Sequence, residues 1–201
     1  MQQAATETMQ DRVMRKCRES VTINEKFFET HADLIAELCP EMGKRFVDGH
    51  RLFLFGNGGS ACDALHIAVE FLHPIMEKRR PFPAVALTTD LATITAIGND
   101  QAFSLIFSDQ LRLLGREGDM ALGISTSGKS ANVIRAFQQA KDMGMLTIAF
   151  TGKDGGRLPE MTDYCFTVPT FSIHRIQETH TTLLHIVWDL VHVALGEEDV
   201  I

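Results

Sequence analysis

Met120-Ala-Leu-Gly-Ile-Ser125-Thr-Ser-Gly-Lys-Ser130-Ala-Asn-Val-Ile-Arg-Ala-Phe-Gln-Gln-Ala140 is the stretch on which the reading of this chain turns. A short apolar strand, Met120 to Ile124, runs into a turn of small residues, and a helical pattern follows from Ala131. Ser125, Thr126, Ser127 and Ser130 put four hydroxyls at the mouth of that helix. Free backbone N–H groups and the positive end of the helix dipole make such a turn a ready anion site. The same residues match the nucleotide P-loop, G-x-x-x-x-G-K-[ST]. Two features count against a nucleotide. The first glycine of a P-loop ends its strand, whereas Gly123 lies inside one, and no later apolar strand ends in an aspartate for magnesium. Lys129 reads better as an extra cation beside a sugar phosphate.

Working outward, near-continuous apolar runs recur between helical stretches. Arg51-Leu-Phe-Leu-Phe55, Ala84-Val-Ala-Leu-Thr88, Leu146-Thr-Ile-Ala-Phe150 and Tyr164-Cys-Phe-Thr-Val168 join Met120–Ile124 as predicted strands. Ala61 to about Leu72, Ala92 to Leu114 with a break near Gly98-Asn99-Asp100, and Ser172 to Leu195 read as helices. Apolar strands alternating with helices mean a parallel sheet covered on both faces, an α/β fold with five strands. In such sheets ligands sit at the carboxyl ends of the strands. The first strand also ends there in a small-residue turn, Gly56-Asn-Gly-Gly-Ser60, and two such turns together favour a phosphorylated ligand. Neither has the G-x-G-x-x-G spacing of a dinucleotide fold.

Ahead of the sheet, Val21, Phe27, Phe28, Leu34, Ile35, Leu38, Met42 and Phe46 recur at three- and four-residue spacings. They predict an N-terminal helical arm over residues 1–48, kinked or divided at Pro40, that packs on the core and on a neighbouring subunit, the alternative being a simple cap on a monomer. Residues 49–201 form the single α/β domain. With 201 residues, 45% of them apolar and 22% charged, the chain suits a globular protein with a substantial core. A net charge of −7 and the lack of a Lys/Arg block argue against direct nucleic-acid binding. No apolar run approaches the roughly 20 residues needed to span a bilayer, and the N-terminus lacks the regions of a signal peptide. The expectation is a cytoplasmic protein with no membrane partner. Cys17, Cys39, Cys62 and Cys165 are scattered without a C-x-x-C pair, as expected of reduced thiols packed as small hydrophobes.

His66 and Glu70 fall one helical turn apart, just after the first small-residue turn. That spacing can hold a metal or set a base beside a substrate, and equally suits a surface hydrogen-bonded pair. The last helix carries His174, Gln177, His180, His185 and His192 among Ile, Leu and Trp188. A histidine on such an amphipathic helix is often just a satisfied core residue. Gln177 and His185 lie about 12 Å apart along the axis, an awkward distance for one ion.

Taken in order, Gly56-Asn-Gly-Gly-Ser60, His66 with Glu70, Gly98-Asn99-Asp100, Ser125-Thr-Ser-Gly-x-Ser130-Ala-Asn-Val, Thr151-Gly-Lys-Asp-Gly-Gly156 and Arg175-Ile-Gln177-Glu178 resemble the SIS-domain phosphoheptose isomerases. The likeness runs from about Leu52 to the last helix. It implies a homotetramer with sites at subunit interfaces, interconverting sedoheptulose 7-phosphate and D-glycero-D-manno-heptose 7-phosphate for lipopolysaccharide heptose. By the same resemblance Asn57, Gly58, Gly59, Ser60, Glu70, Asn99, Asp100, Ser125, Thr126, Ser127, Ser130 and Gln177 match substrate-contacting positions. His66, Glu70, Gln177 and His185 match zinc positions, with Glu70 as catalytic base and His185 as acid. Three departures stand out. Lys129 replaces the usual Asn, His174 the usual Asp before Arg-Ile-Gln, and Phe71-Leu-His73-Pro74-Ile-Met-Glu-Lys78 lacks the family's Gly-Arg. A second class of SIS relatives is non-catalytic, binding the bacterial replication initiator or sensing sugar phosphates. The initiator-binding members tend to lack the carboxylate and histidine kept here as Glu70 and His185. A serine hydrolase is remote, because Gly123-Ile-Ser-Thr-Ser127 lacks the second glycine of a nucleophile elbow.

Overall fold

A computed structural model describes residues 7–75 and 79–199. The first six residues of the expected arm, and residues 76–78 of the altered segment after Glu70, lie outside the described residues. Helix α1 spans Met9–Val47, β1 Leu52–Gly56, α2 Gly59–Leu72, β2 Ala84–Ala86, α3 Leu91–Asp100, α4 Ser108–Leu114 and β3 Met120–Ser125. Helix α5 follows at Ala131–Asp142, β4 at Leu146–Gly152, β5 at Tyr164–Val168 and α6 at Ile173–Ala194. The five strands form one parallel sheet in the order β2-β1-β3-β4-β5.

That order places the ligand crevice. The chain leaves β1 toward β2 on one side, then returns to lay β3 on the other. The carboxyl ends of β1 and β3 therefore flank a topological switch point, where the connecting helices diverge to opposite faces and open a cleft. Both small-residue turns sit there.

Alternation along the strands divides the core in two. Leu52, Leu54, Leu122, Ile124, Ile148 and Phe150 pack with α1, α2 and α6. Phe53, Phe55, Ala121 and Ala149 face the opposite layer of α3, α4 and α5. Gly123 lies mid-strand because a Cβ there would come within 2.5 Å of Phe55 and 2.6 Å of Phe137. The glycine serves aromatic packing in the second core layer, and β3 continues past it to Ser125, unlike the strand of a P-loop.

Pro40 neither divides nor ends α1, which is one helix of 39 residues with Pro40 inside it. Proline deprives the carbonyl of Ala36 of its helical partner. The surrounding Leu38, Cys39, Met42 and Phe46 are buried in the core with α6, and that packing outweighs the lost bond. The N-terminal half of α1 leaves Met9, Val13, Met14 and Val21 exposed. A capping box starts it, with Thr8 Oγ1 accepting from the Asp11 N–H at 3.1 Å and the Asp11 carboxylate accepting from the Thr8 N–H at 3.0 Å. The break expected near Gly98-Asn99-Asp100 begins directly after it, at Gln101–Ala102, since α3 carries its helix through Asp100.

Candidate active site

The two turns at the switch point are tied to each other. Asn57, just after β1, and Asn132, in the first turn of α5, exchange amide hydrogen bonds of 2.9 and 2.8 Å. Asn132 is 3% exposed. Sequence alone places it in the motif after Ser130 without marking it as a site residue; only the pairing across the crevice reveals its role.

In the β3–α5 turn, the Gly128 N–H donates to the Ser125 carbonyl at 3.0 Å and closes the loop. Ser125 Oγ and Ser130 Oγ lie 3.1 Å apart. Ser130 occupies the N-cap of α5 without capping it, and with the Val133 N–H donating to Asn132 Oδ1 at 3.0 Å, the N–H groups of Ala131 and Asn132 are the ones left open to an anion. The Lys129 N–H donates to Ser127 Oγ at 3.3 Å, while the Lys129 ammonium reaches the exposed carboxylate of Asp154 at 3.4 Å. From below, Thr151 Oγ1 donates to the Ser125 carbonyl at 2.8 Å, and the Thr151 carbonyl accepts from His180 Nε2 at 3.0 Å. His180 is thus a core residue that props the β3–α5 loop from behind.

Burial holds His180 neutral, its pKa pushed down to about 4 against the weaker upward pull of the Thr151 carbonyl. An unfolded chain protonates this histidine below about pH 6.5, whereas the native state resists until about pH 4. Its contribution to stability is therefore constant above pH 6.5 and falls between pH 6.5 and 4, by on the order of 3 kcal/mol. Burial raises the Asp63 carboxyl to about 6, so its contribution has the opposite sign and grows as pH falls through 6. His180→Gln should flatten the loss of stability between pH 6.5 and 4 in denaturant melts. An unchanged pH slope would refute the assignment.

Opposite this loop, α2 and α6 run side by side in the same direction. The amide of Gln177 lies against Gly59, where a Cβ would sit 2.2 Å from its Nε2. Further along, His185 Nε2 faces His66 Nε2 at 3.3 Å, and His66 Nε2 lies 3.4 Å from Glu70 Oε1. Three ligand atoms, from His66, Glu70 and His185, fall within 4.8 Å of one another. Two imidazoles and a carboxylate this close together could hold a metal ion. His185 is held below its ordinary pKa by burial and by the neighbouring His66, against the pull of Glu70. Gln177 lies at the Gly59 end of the cleft, two helical turns before His185.

Asn57 is half-buried beside exposed Gly58 and Gly59, and Ser60 is buried in the first turn of α2. Thr126, Ser127 and Ser130 are partly exposed at the loop, and Ser125 is buried. Asn99 and Asp100 are exposed at the end of α3 and bonded to each other at 2.8 Å; among the described residues no hydrogen bond joins them to either turn. Arg175 and Glu178 tether α1. Arg175 donates to the Lys16 carbonyl at 2.7 Å, and Glu178 accepts from Ser20 Oγ at 2.7 Å and from Arg175 at 2.7 Å. His174, just before Arg175 in the first turn of α6, is exposed.

A family profile for the SIS domain matches residues 17–152. A phosphoheptose isomerase of Thermodesulfovibrio yellowstonii is 46% identical over 189 residues, covering 94% of each chain. This chain belongs to the SIS-domain phosphoheptose isomerase family. Solved structures agree. The phosphoheptose isomerase of Neisseria gonorrhoeae superposes with a TM-score of 0.85 at 40% identity, over 92% of this chain and 98% of that one. That of Francisella tularensis gives 0.88 at 35% identity, over 92% and 99%. The SIS fold expected from the ordered motifs is the fold observed, and the family is one of sugar-phosphate isomerases.

Proposed function

We propose that the protein converts sedoheptulose 7-phosphate into D-glycero-D-manno-heptose 7-phosphate, in the cytoplasm, as a step toward lipopolysaccharide heptose. The observation that carries this is the pairing of an open anion loop at β3–α5 with a His–Glu–His cluster across one cleft. Isomerisation moves a proton between C1 and C2 through an enediol, which needs a base for the carbon-bound proton and an acid–base group for the oxygens. Glu70 is the base. One carboxylate oxygen faces His66, which leaves the other for the proton. His185, kept largely neutral by burial, relays the proton between O1 and O2. Ser125, Thr126, Ser127, Ser130 and the start of α5 hold the phosphate, so that remote binding energy positions C1 and C2 over Glu70. Asn57, Gly58, Gly59, Ser60 and Gln177 would line the sugar between the two ends.

The residues fit a zinc ion held by His66, Glu70 and His185. Such an ion supplies Lewis-acid polarisation of the substrate carbonyl. Gln177 would join it only by a change of side-chain position. A homotetramer accounts for the exposed apolar residues of the outer half of α1 and for the placing of Asn99 and Asp100, which would then serve a site completed by a neighbour. Among the described residues no helix is long and apolar enough to cross a membrane, which agrees with the proposed location.

The deciding experiment is a stereochemical assay of purified, metal-analysed protein on sedoheptulose 7-phosphate. Formation of the aldose, lost on chelation and restored by zinc, is expected. Tight binding of the sugar phosphate with no turnover at any zinc level would overturn the catalytic reading in favour of a sugar-phosphate sensor.

A further inference from the structure

Helix α2 ends beside the reacting end of the cleft in an unusual way. Its C-terminal carbonyls need partners from outside the helix. The Val69 carbonyl accepts from the His73 N–H at 2.8 Å, and the Phe71 carbonyl from the Phe82 N–H at 2.7 Å. The Glu70 carbonyl lies between them. Its helical partner would be the N–H of residue 74, which is Pro74 and has none. Proline also drives His73 out of the helical region, and His73 is found at φ −140°, ψ 73°.

The missing donor comes from α6. Trp188 Nε1 donates to the Glu70 carbonyl at 2.8 Å. Trp188 is 2% exposed and is the only tryptophan of the chain. Its ring is held in turn by Arg79, whose guanidinium carbon lies 4.7 Å from the ring centroid. Arg79 is anchored by an ion pair with the Asp189 carboxylate and by a 2.9 Å bond to the Glu198 carbonyl. A buried indole N–H whose acceptor is the carbonyl of the residue with the key carboxylate links α6 to that residue directly, three residues on from His185.

We propose that Trp188 is a positioning residue for Glu70. Its indole N–H replaces the donor that Pro74 removes, and so fixes the last turn of α2, with the Glu70 side chain, relative to His185 on α6. The proposal rests on the reading of Glu70 as the base. It assigns no chemistry to Trp188, whose effect is to hold the carboxylate in register with the histidine.

Trp188→Phe keeps an apolar ring and deletes the donor. The expected result is a fall in kcat of roughly tenfold with KM little changed, since the phosphate end is untouched. Pro74→Ala returns an N–H four residues after Glu70 and frees His73 to become helical. Alone it should be near neutral; combined with Trp188→Phe it should restore kcat to within about twofold of the parent. A loss with Trp188→Phe that Pro74→Ala does not rescue would make Trp188 a packing residue and overturn the proposal, as would wild-type kcat in Trp188→Phe. The hydrogen bond has its own readout, the N–H-sensitive indole band in ultraviolet resonance Raman, clean here because one tryptophan is present. A band at the free-indole position refutes the bond whatever the kinetics. An active Glu70→Gln enzyme with a bonded indole would instead refute the assignment of the base.

Discussion

Glu70→Gln is expected to lower kcat for aldose formation by at least about 10³-fold while leaving KM within a few-fold of wild type. The substitution preserves size and leaves the α2 backbone and its Trp188 bond in place, but an amide cannot take a proton from carbon. His185→Ala should cost roughly 10²–10⁴-fold, and the double variant no more than the worse single one, because the carbon proton taken by Glu70 and the oxygen proton moved by His185 are transferred together as the enediol forms, and groups acting in one step lose their effect as a unit. The geometry supports this coupling. His66 Nε2 lies 3.3 Å from His185 Nε2 and 3.4 Å from the Glu70 carboxylate. Independent, multiplicative losses would mean that the two residues serve separate steps. A Glu70→Gln enzyme at more than about a tenth of wild-type rate would remove Glu70 as the base altogether.

The sheet is legible in the sequence because the strands are short apolar runs, too brief for helices and separated by turn residues and helical stretches. One of the two edge strands is the exception. β2 pairs only with β1 and stops at Ala86, two residues before the apolar run ends at Thr88. Pro40 misleads for a different reason. Local chemistry allows the proline to divide the helix, but the residues around it are core, and the favourable burial against α6 that keeps the helix in one piece is invisible to local rules. At the site, His66 and Glu70 can be paired from helical spacing alone, whereas the closeness of His185 requires α2 and α6 to lie in register. Asn132 and Trp188 are beyond reach for the same reason: each acts on a residue 75 or more positions away. Pro74 stands out in sequence only as a departure from the family pattern. Its consequence becomes physical once the orphaned carbonyl and its donor are seen together.

The proposed phosphate end should also be sensitive, and Gly128→Ala is its sharpest test. Gly128 has φ +62°, and a Cβ there would lie 1.9 Å from the Gly155 carbonyl oxygen and 2.5 Å from its carbon. Those are backbone atoms of a turn that is equally crowded in return, since a Cβ on Gly156 would come within 2.6 Å of Gly128. No side chain can swing away, so the loop and the turn must separate. That would break the Arg157 N–H bond to the Gly128 carbonyl, 3.1 Å long, and the 3.0 Å closure of Gly128 on Ser125. The four hydroxyls would lose their common orientation, and KM should rise at least about tenfold, with kcat/KM down roughly 10²-fold as positioning is lost. Strain alone predicts something smaller, and Gly49→Ala measures it. Gly49 has φ +88°, and a Cβ added there would meet nothing within 4 Å, so alanine should cost about 1–2 kcal/mol of stability and leave KM alone. If Gly128→Ala behaves like Gly49→Ala, destabilised but kinetically normal, the β3–α5 turn does not hold the phosphate. In that case the uncapped start of α5 would have to be explained some other way.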